Sequence, residues 1–228
     1  MQFLKIYFTP LFFYLFVIGV FFKNILWGDN SLIIHDNLTF FYPAFLKGFT
    51  FWDSFLQLGF PIGHDPQYQT FYFLKYLFPK TEIGFTLYIL SSILTASYFT
   101  FLLTHKLTEH LIGSMFAGLI FGFSGNFLGQ LSMSGVTMTE AYLPVVVYIN
   151  LLLFEKPSSK LYHLLNWVAI YLNISSGYPQ ASVFNLFFTY LFLLGFYQFK
   201  ILKLIRFIYI VVDFFIYSRD HFIDFFCV

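Results

Sequence analysis

The chain reads as long apolar runs separated by short polar breaks. A bilayer core about 30 Å thick takes roughly 20 mostly apolar residues per helix. Residues 6–27, bracketed by Lys5 and Lys23, meet that length and end at Gly28-Asp29-Asn30. No small-x-small cleavage site precedes Asp29, so this run is expected to stay as a first span and not leave as a signal peptide. After a polar interval over 28–82, further spans are expected at 83–103, 111–131, 136–154, 161–176 and 181–199. A weaker seventh run, 207–217, is interrupted by Asp213. The pattern predicts an all-α fold, a polytopic transmembrane bundle of six to seven spans.

Composition points the same way. Of 228 residues, 59% are apolar and 10% charged, against about 45–50% and about 25% in a soluble domain. A soluble globule this small leaves too much surface in water to hide such a load, which excludes a soluble enzyme. A net charge of +1 without a basic block argues against nucleic-acid binding, and the apolar content against disorder. The single cysteine, Cys227, excludes an internal disulfide framework and a CxxC metal site.

Lysines and arginines near the span ends set orientation. With the N-terminus cytoplasmic, Lys5, Lys106, Lys156, Lys160, Lys200, Lys203 and Arg206 fall inside. Lys23, Lys47, Lys75 and Lys80 fall outside with six carboxylates: Asp29, Asp36, Asp53, Asp65, Glu82 and Glu140. The interval 28–82 is therefore expected on the outer face of a multi-pass bacterial plasma-membrane protein. Residues 1–206 form one transmembrane unit that includes this loop. Residues 207–228, with Arg219-Asp220-His221 and Asp224, read as the tail of a chain that ended early, which would leave an inactive fragment.

The loop is too long for a simple connection. Aromatic blocks at 38–51, 55–60 and 68–78 are divided by Trp52-Asp53-Ser54 and Gly59-Phe60-Pro61-Ile62-Gly63. Short amphipathic helices of this kind suit the headgroup plane, so the loop is expected to be a structured cap. Its polar residues are few: His35-Asp36-Asn37, Tyr42, Lys47, His64-Asp65-Pro66-Gln67, Lys75 and Lys80. A carboxylate at the interface, desolvated by aromatic neighbours, could act as a general base. Against that stands a structural reading, with Asp36 as a helix N-cap and Asp65 as a turn residue before Pro66. A zinc site from His35, Asp36, His64 and Asp65 lacks helical i, i+4 spacing. No metal is assigned, and a divalent cation stays open.

The order of motifs resembles the GT-C superfamily of integral-membrane glycosyltransferases, and more narrowly the bacterial YfhO-type membrane proteins. The residues that carry the likeness are Asp36 with Tyr42-Pro43, then Phe51-Trp52-Asp53, Gly59-Phe60-Pro61-Ile62-Gly63-His64-Asp65-Pro66-Gln67 and Phe71-Tyr72-Phe73-Leu74. Gly122-Phe123-Ser124-Gly125-Asn126, Glu140-Ala141-Tyr142-Leu143-Pro144 and Ser176-Gly177-Tyr178-Pro179-Gln180 follow. The family pattern has Trp-Asn where this chain has Trp52-Asp53. The resemblance implies inverting transfer of a sugar from a polyprenyl-phosphate donor to a cell-envelope acceptor on the outer face. Asp36 matches the family's catalytic position, and Asp65 is the natural second carboxylate. His35, Tyr42, Lys47, His64, Gln67, Lys75, Glu140, Tyr178 and Gln180 are the candidate substrate-binding residues. Each lysine has a competing role in snorkelling to headgroups. Gly125 and Gly177 are expected to serve helix packing, and Pro144 and Pro179 to kink or start helices. A polytopic transporter or lipid flippase without sugar transfer is the alternative function. It would place its site at midplane between repeated halves, and no internal repeat relates 6–103 to 111–199.

Overall fold

The computed structural model describes residues 2–28, 30–47, 49–53, 63 and 65–196. The aromatic block at 55–60, His64 and the tail 207–228 lie outside the described residues. Every expected run up to residue 196 is helical, and the described residues contain no strand. Helices α1 (Gln2–Phe21) and α2 (Lys23–Leu26) form the first run. Short α3 (Tyr42–Leu46) lies in the loop, and α4 (Glu82–Thr108) follows it. The third run breaks into α5 (Leu111–Gly122) and α6 (Gly125–Gly129), and α7 (Ser134–Glu155), α8 (Lys160–Ser175) and α9 (Pro179–Phe196) complete the bundle.

Local chemistry sets these boundaries. Each helix start leaves backbone N–H groups without intrahelical partners, and side chains supply them. Thr81 Oγ1 accepts from the Gly84 N–H at 3.2 Å, His110 Nδ1 from the Gly113 N–H at 2.9 Å, and Ser124 Oγ from the Phe127 N–H at 3.3 Å. Pro179 opens α9, where a missing N–H costs nothing. Pro144 lies inside α7 and denies the Glu140 carbonyl its usual intrahelical donor.

Among the described residues, four helical stretches are long and apolar enough to cross a membrane: Glu82–Thr108, Leu111–Gly129, Ser134–Glu155 and Pro179–Phe196. The apolar part of α1 is shorter, Tyr7–Phe21, and α8 has 16 residues. The chain is a helical membrane protein. Helix α7 is the hub, with 78% of its apolar window buried against 22% for 111–129, and it packs on α4, α8 and α9. Helix α4 packs in turn on α1 and α5.

Bilayer helices gain little from burying apolar surface against each other, so close contact and polar bonds hold them together. Gly118 and Gly122 provide the close contact: a Cβ at Gly118 would strike Tyr14 Oη and the Ser97 carbonyl, and one at Gly122 the Ser97 hydroxyl. Gly125 has open space around it and a Cβ at Gly177 would meet Gln69 of the loop, so the close helix contact expected at these two glycines falls at Gly118 and Gly122 instead. The polar bonds cluster between α7, α8 and α9. Asn185 Nδ2 donates to the Thr139 carbonyl at 2.7 Å and to Asn173 Oδ1 at 2.8 Å, while the Thr139 and Ser176 hydroxyls pair at 2.7 Å. At the end away from the loop, Lys106 and Glu155 pair at 2.8 Å and tie α4 to α7.

Candidate functional site

The described residues of the loop between α2 and α4 pack on the bundle as a cap, and three sets of bonds fix them there. The first is Asn37, wholly buried in a π-helical turn at Asn37–Phe41. Its Nδ2 donates to the Leu32 carbonyl at 2.9 Å and the Leu131 carbonyl at 2.7 Å, and its Oδ1 accepts from the Ser134 N–H at 3.1 Å. The Asn37 N–H reaches the Ser132 carbonyl at 2.9 Å. One amide thus satisfies backbone groups on the loop and on the turn before α7, as burial requires.

The second set is centred on Gln69, buried with φ of 55°. Its Nε2 donates to the Ser176 carbonyl, and its Oε1 accepts from the Tyr88 hydroxyl at 2.8 Å. Gly177, with φ of 117°, passes so close that a Cβ there would lie 2.8 Å from Gln69 Cγ. In the third set the Tyr72 and Tyr142 hydroxyls pair at 2.7 Å, and the Tyr171 hydroxyl donates to the Phe71 carbonyl.

These anchors sort the candidate residues. Asp36 starts the π-helical turn, yet its side chain makes no capping bond and stands exposed beside buried Asn37. The N-cap reading of Asp36 fails, as does its expected enclosure by aromatic rings. Neighbouring His35 is exposed with φ of 48°, a strained conformation for a residue with a side chain. Asp65 takes the structural role: its Oδ1 accepts from the Gln67 N–H at 2.9 Å and caps a 3₁₀ turn at Pro66–Tyr68. Gln67 is exposed on that turn. Lys47 pairs with buried Asp53, so it carries less free charge than its sequence position suggests. Tyr42 is half-buried, its ring 5.2 Å from Phe85.

Lys75 departs furthest from expectation. It is 2% exposed, and its Nζ donates to the Tyr68 carbonyl at 2.6 Å and the Ala44 carbonyl at 3.5 Å. Burial, helped by the charge of Lys80, lowers its pKa to about 7. An amine so enclosed cannot meet an anionic ligand at the surface, and its contacts join α3 to the 3₁₀ turn. Lys80 is more open. Its Nζ donates to the Lys75 carbonyl at 3.1 Å and lies 4.1 Å from the Phe45 ring centroid, a cation–π distance.

The remaining candidates sit where the later helices meet the cap. Glu140 is half-buried, and the Gln130 amide, turned nitrogen-inward, donates to its two oxygens at 2.9 and 3.0 Å. The Tyr178 N–H donates to Thr139 Oγ1 at 3.2 Å, and Gln180 is exposed on the first turn of α9. Among the described residues no three His, Cys, Asp or Glu side chains come together to hold a metal. On the side of the bundle, an open apolar groove of about 340 Å3 runs between α4, α5, α7 and α9, lined by Leu103, Phe121, Leu143, Val147, Phe188 and Phe192.

Sequence reasoning missed the anchoring roles of Asn37 and Gln69 and the burial of Lys75. Only Gly177 offered a local signal, as a glycine between helices that demanded a close neighbour. No family model, curated protein or solved structure matches the chain.

Proposed function

We propose that the chain is the membrane-embedded body of a GT-C-type glycosyltransferase that moves a sugar from a polyprenyl-phosphate donor to a cell-envelope acceptor at the outer face. The observation that carries this reading is the pairing of adjacent residues: Asn37 is locked into the bundle by three side-chain bonds, and Asp36 beside it is exposed and caps nothing. A base must be held still yet reach its substrate, and this pair meets both needs. In the proposed reaction Asp36 takes the proton of the acceptor hydroxyl. The oxygen then attacks the anomeric carbon from the face opposite the lipid phosphate, which leaves with the bonding electrons and needs little acid assistance.

Two further features support the reading. Lys80, held near Phe45 and Tyr76, offers positive charge on the cap for the departing phosphate. The groove between α4, α5, α7 and α9 has an apolar lining suited to a polyprenyl chain. Asp65 supports the reaction by shaping the turn that presents Gln67.

The test is sugar transfer by the protein in lipid vesicles holding a polyprenyl-phosphate sugar. Replacing Asp36 by Asn is expected to lower the rate about 100-fold or more, the usual worth of a positioned base, with thermal stability unchanged. Transfer at the unsubstituted rate refutes the role of Asp36. Lost lipid flux with no sugar transfer in either protein points to a flippase.

A further inference from the structure

A second cleft lies apart from Asp36, where α2 approaches the start of α4. It encloses about 310 Å3. Ile25, Leu26 and Ile83 give it an aliphatic side, and Asn30, Glu82 and Thr86 a polar one. Glu82 begins a helix long and apolar enough to cross the membrane, so the cleft lies at the boundary between hydrocarbon and headgroups.

Two polar groups there are left over by the fold. Glu82, the one charged residue among the described lining, forms no ion pair with any described residue. Lys80, close in sequence, is turned away toward Phe45 and Tyr76. Thr86 is 2% exposed, and its hydroxyl bonds to no described residue. The Thr86 hydroxyl opens on the cleft and is free to accept a bond, and the exposed Glu82 carboxylate one turn before it attracts cations. The amine headgroups of lipids are a ready source of cations at this depth.

We propose that the cleft binds the primary ammonium head of an amine-bearing membrane lipid. Glu82 takes the charge, Thr86 and the Asn30 amide oxygen accept N–H bonds, and the aliphatic side covers the adjoining methylenes. This inference stands independently of the transferase reading.

The test uses the full chain in nanodiscs of equal phosphatidylethanolamine and phosphatidylglycerol, with retained lipids counted by native mass spectrometry. The unsubstituted protein is expected to retain the ethanolamine lipid preferentially. Glu82→Gln should lower that preference about fivefold, in line with one partly exposed ion pair, and Glu82→Asp should restore part of it. Thr86→Val, which keeps the side-chain shape, should lower it as well and serves alone if Glu82→Gln fails to fold. Asp36→Asn should leave lipid retention untouched. Equal retention of both lipids by the unsubstituted protein overturns the proposal, as does a preference that survives both Glu82→Gln and Thr86→Val. Free ethanolamine that displaces the lipid as well as added phosphatidylethanolamine does would overturn it too, since the site would then read the amine without its chain.

Discussion

Replacing Asn37 by alanine removes the amide that holds the cap to the bundle. Three backbone groups lose their side-chain partner: the carbonyls of Leu32 and Leu131 and the N–H of Ser134. The site is wholly buried, so water reaches these groups only if the cap lifts. An orphaned buried group costs about 1–3 kcal/mol. With about 1 kcal/mol for each of the three, allowing for relaxation, the cap loses about 3 kcal/mol. Its opening equilibrium should rise about 100-fold. Helices α7 to α9 hold themselves by the Asn173, Asn185 and Thr139 bonds and should stay closed. Amide hydrogen exchange in detergent resolves the two regions. In the Asn37→Ala variant, protection should fall over 32–46 and persist over 139–185. Asp36→Ala, at an exposed position one residue away, should change protection little. If Asn37→Ala exchanges like the unsubstituted protein within threefold, the amide does not anchor the cap.

Gly118→Ala should cost about 1–3 kcal/mol, because its Cβ meets Tyr14 Oη and the Ser97 carbonyl where α4 and α5 touch. Gly125→Ala meets nothing and should be neutral or stabilising by about 0.5–1 kcal/mol. Thermal melts in one detergent separate the two variants, and equal effects would refute the close-contact account. Cap stability should also depend on pH through Lys75. Its folded pKa, lowered to about 7, lies below its ordinary value, so between about pH 7 and 10 the unfolded chain binds the proton that the folded one refuses. Stability should therefore rise across that window by up to about 1.4 kcal/mol per pH unit and be flat in this respect below pH 7. Lys75→Met should remove the slope, as read by cap exchange rates corrected for their intrinsic pH dependence.

The helices were legible in the sequence because each depends on neighbours along the chain: apolar runs of membrane length and Pro179 at a first turn, whereas the break at Ser124 inside the run 111–131 was not. The existence of a cap was legible too, since aromatic blocks divided by turn residues do not suit a disordered loop. What each polar residue does there was not. A motif reading weighted Asp36 and Asp65 alike, whereas in the fold one stands free and the other closes its own turn. Lys75 looked like surface charge because lysine is rarely buried, and only carbonyls from two separate segments make its burial tolerable.

Sequence by itself determined an all-α membrane protein, the positions of its long helices and a long segment between the first two apolar runs. Tertiary structure decided which residues of that segment are anchors and which are left to act. Hydropathy and capping work over a few residues, so one chain segment reveals them. The Asn37 amide meets the Leu131 carbonyl 94 positions away, and Gln69 meets Ser176 across 107. Such partners are chosen only when the helices have packed, because an amide carries no mark in sequence of the carbonyl it will meet.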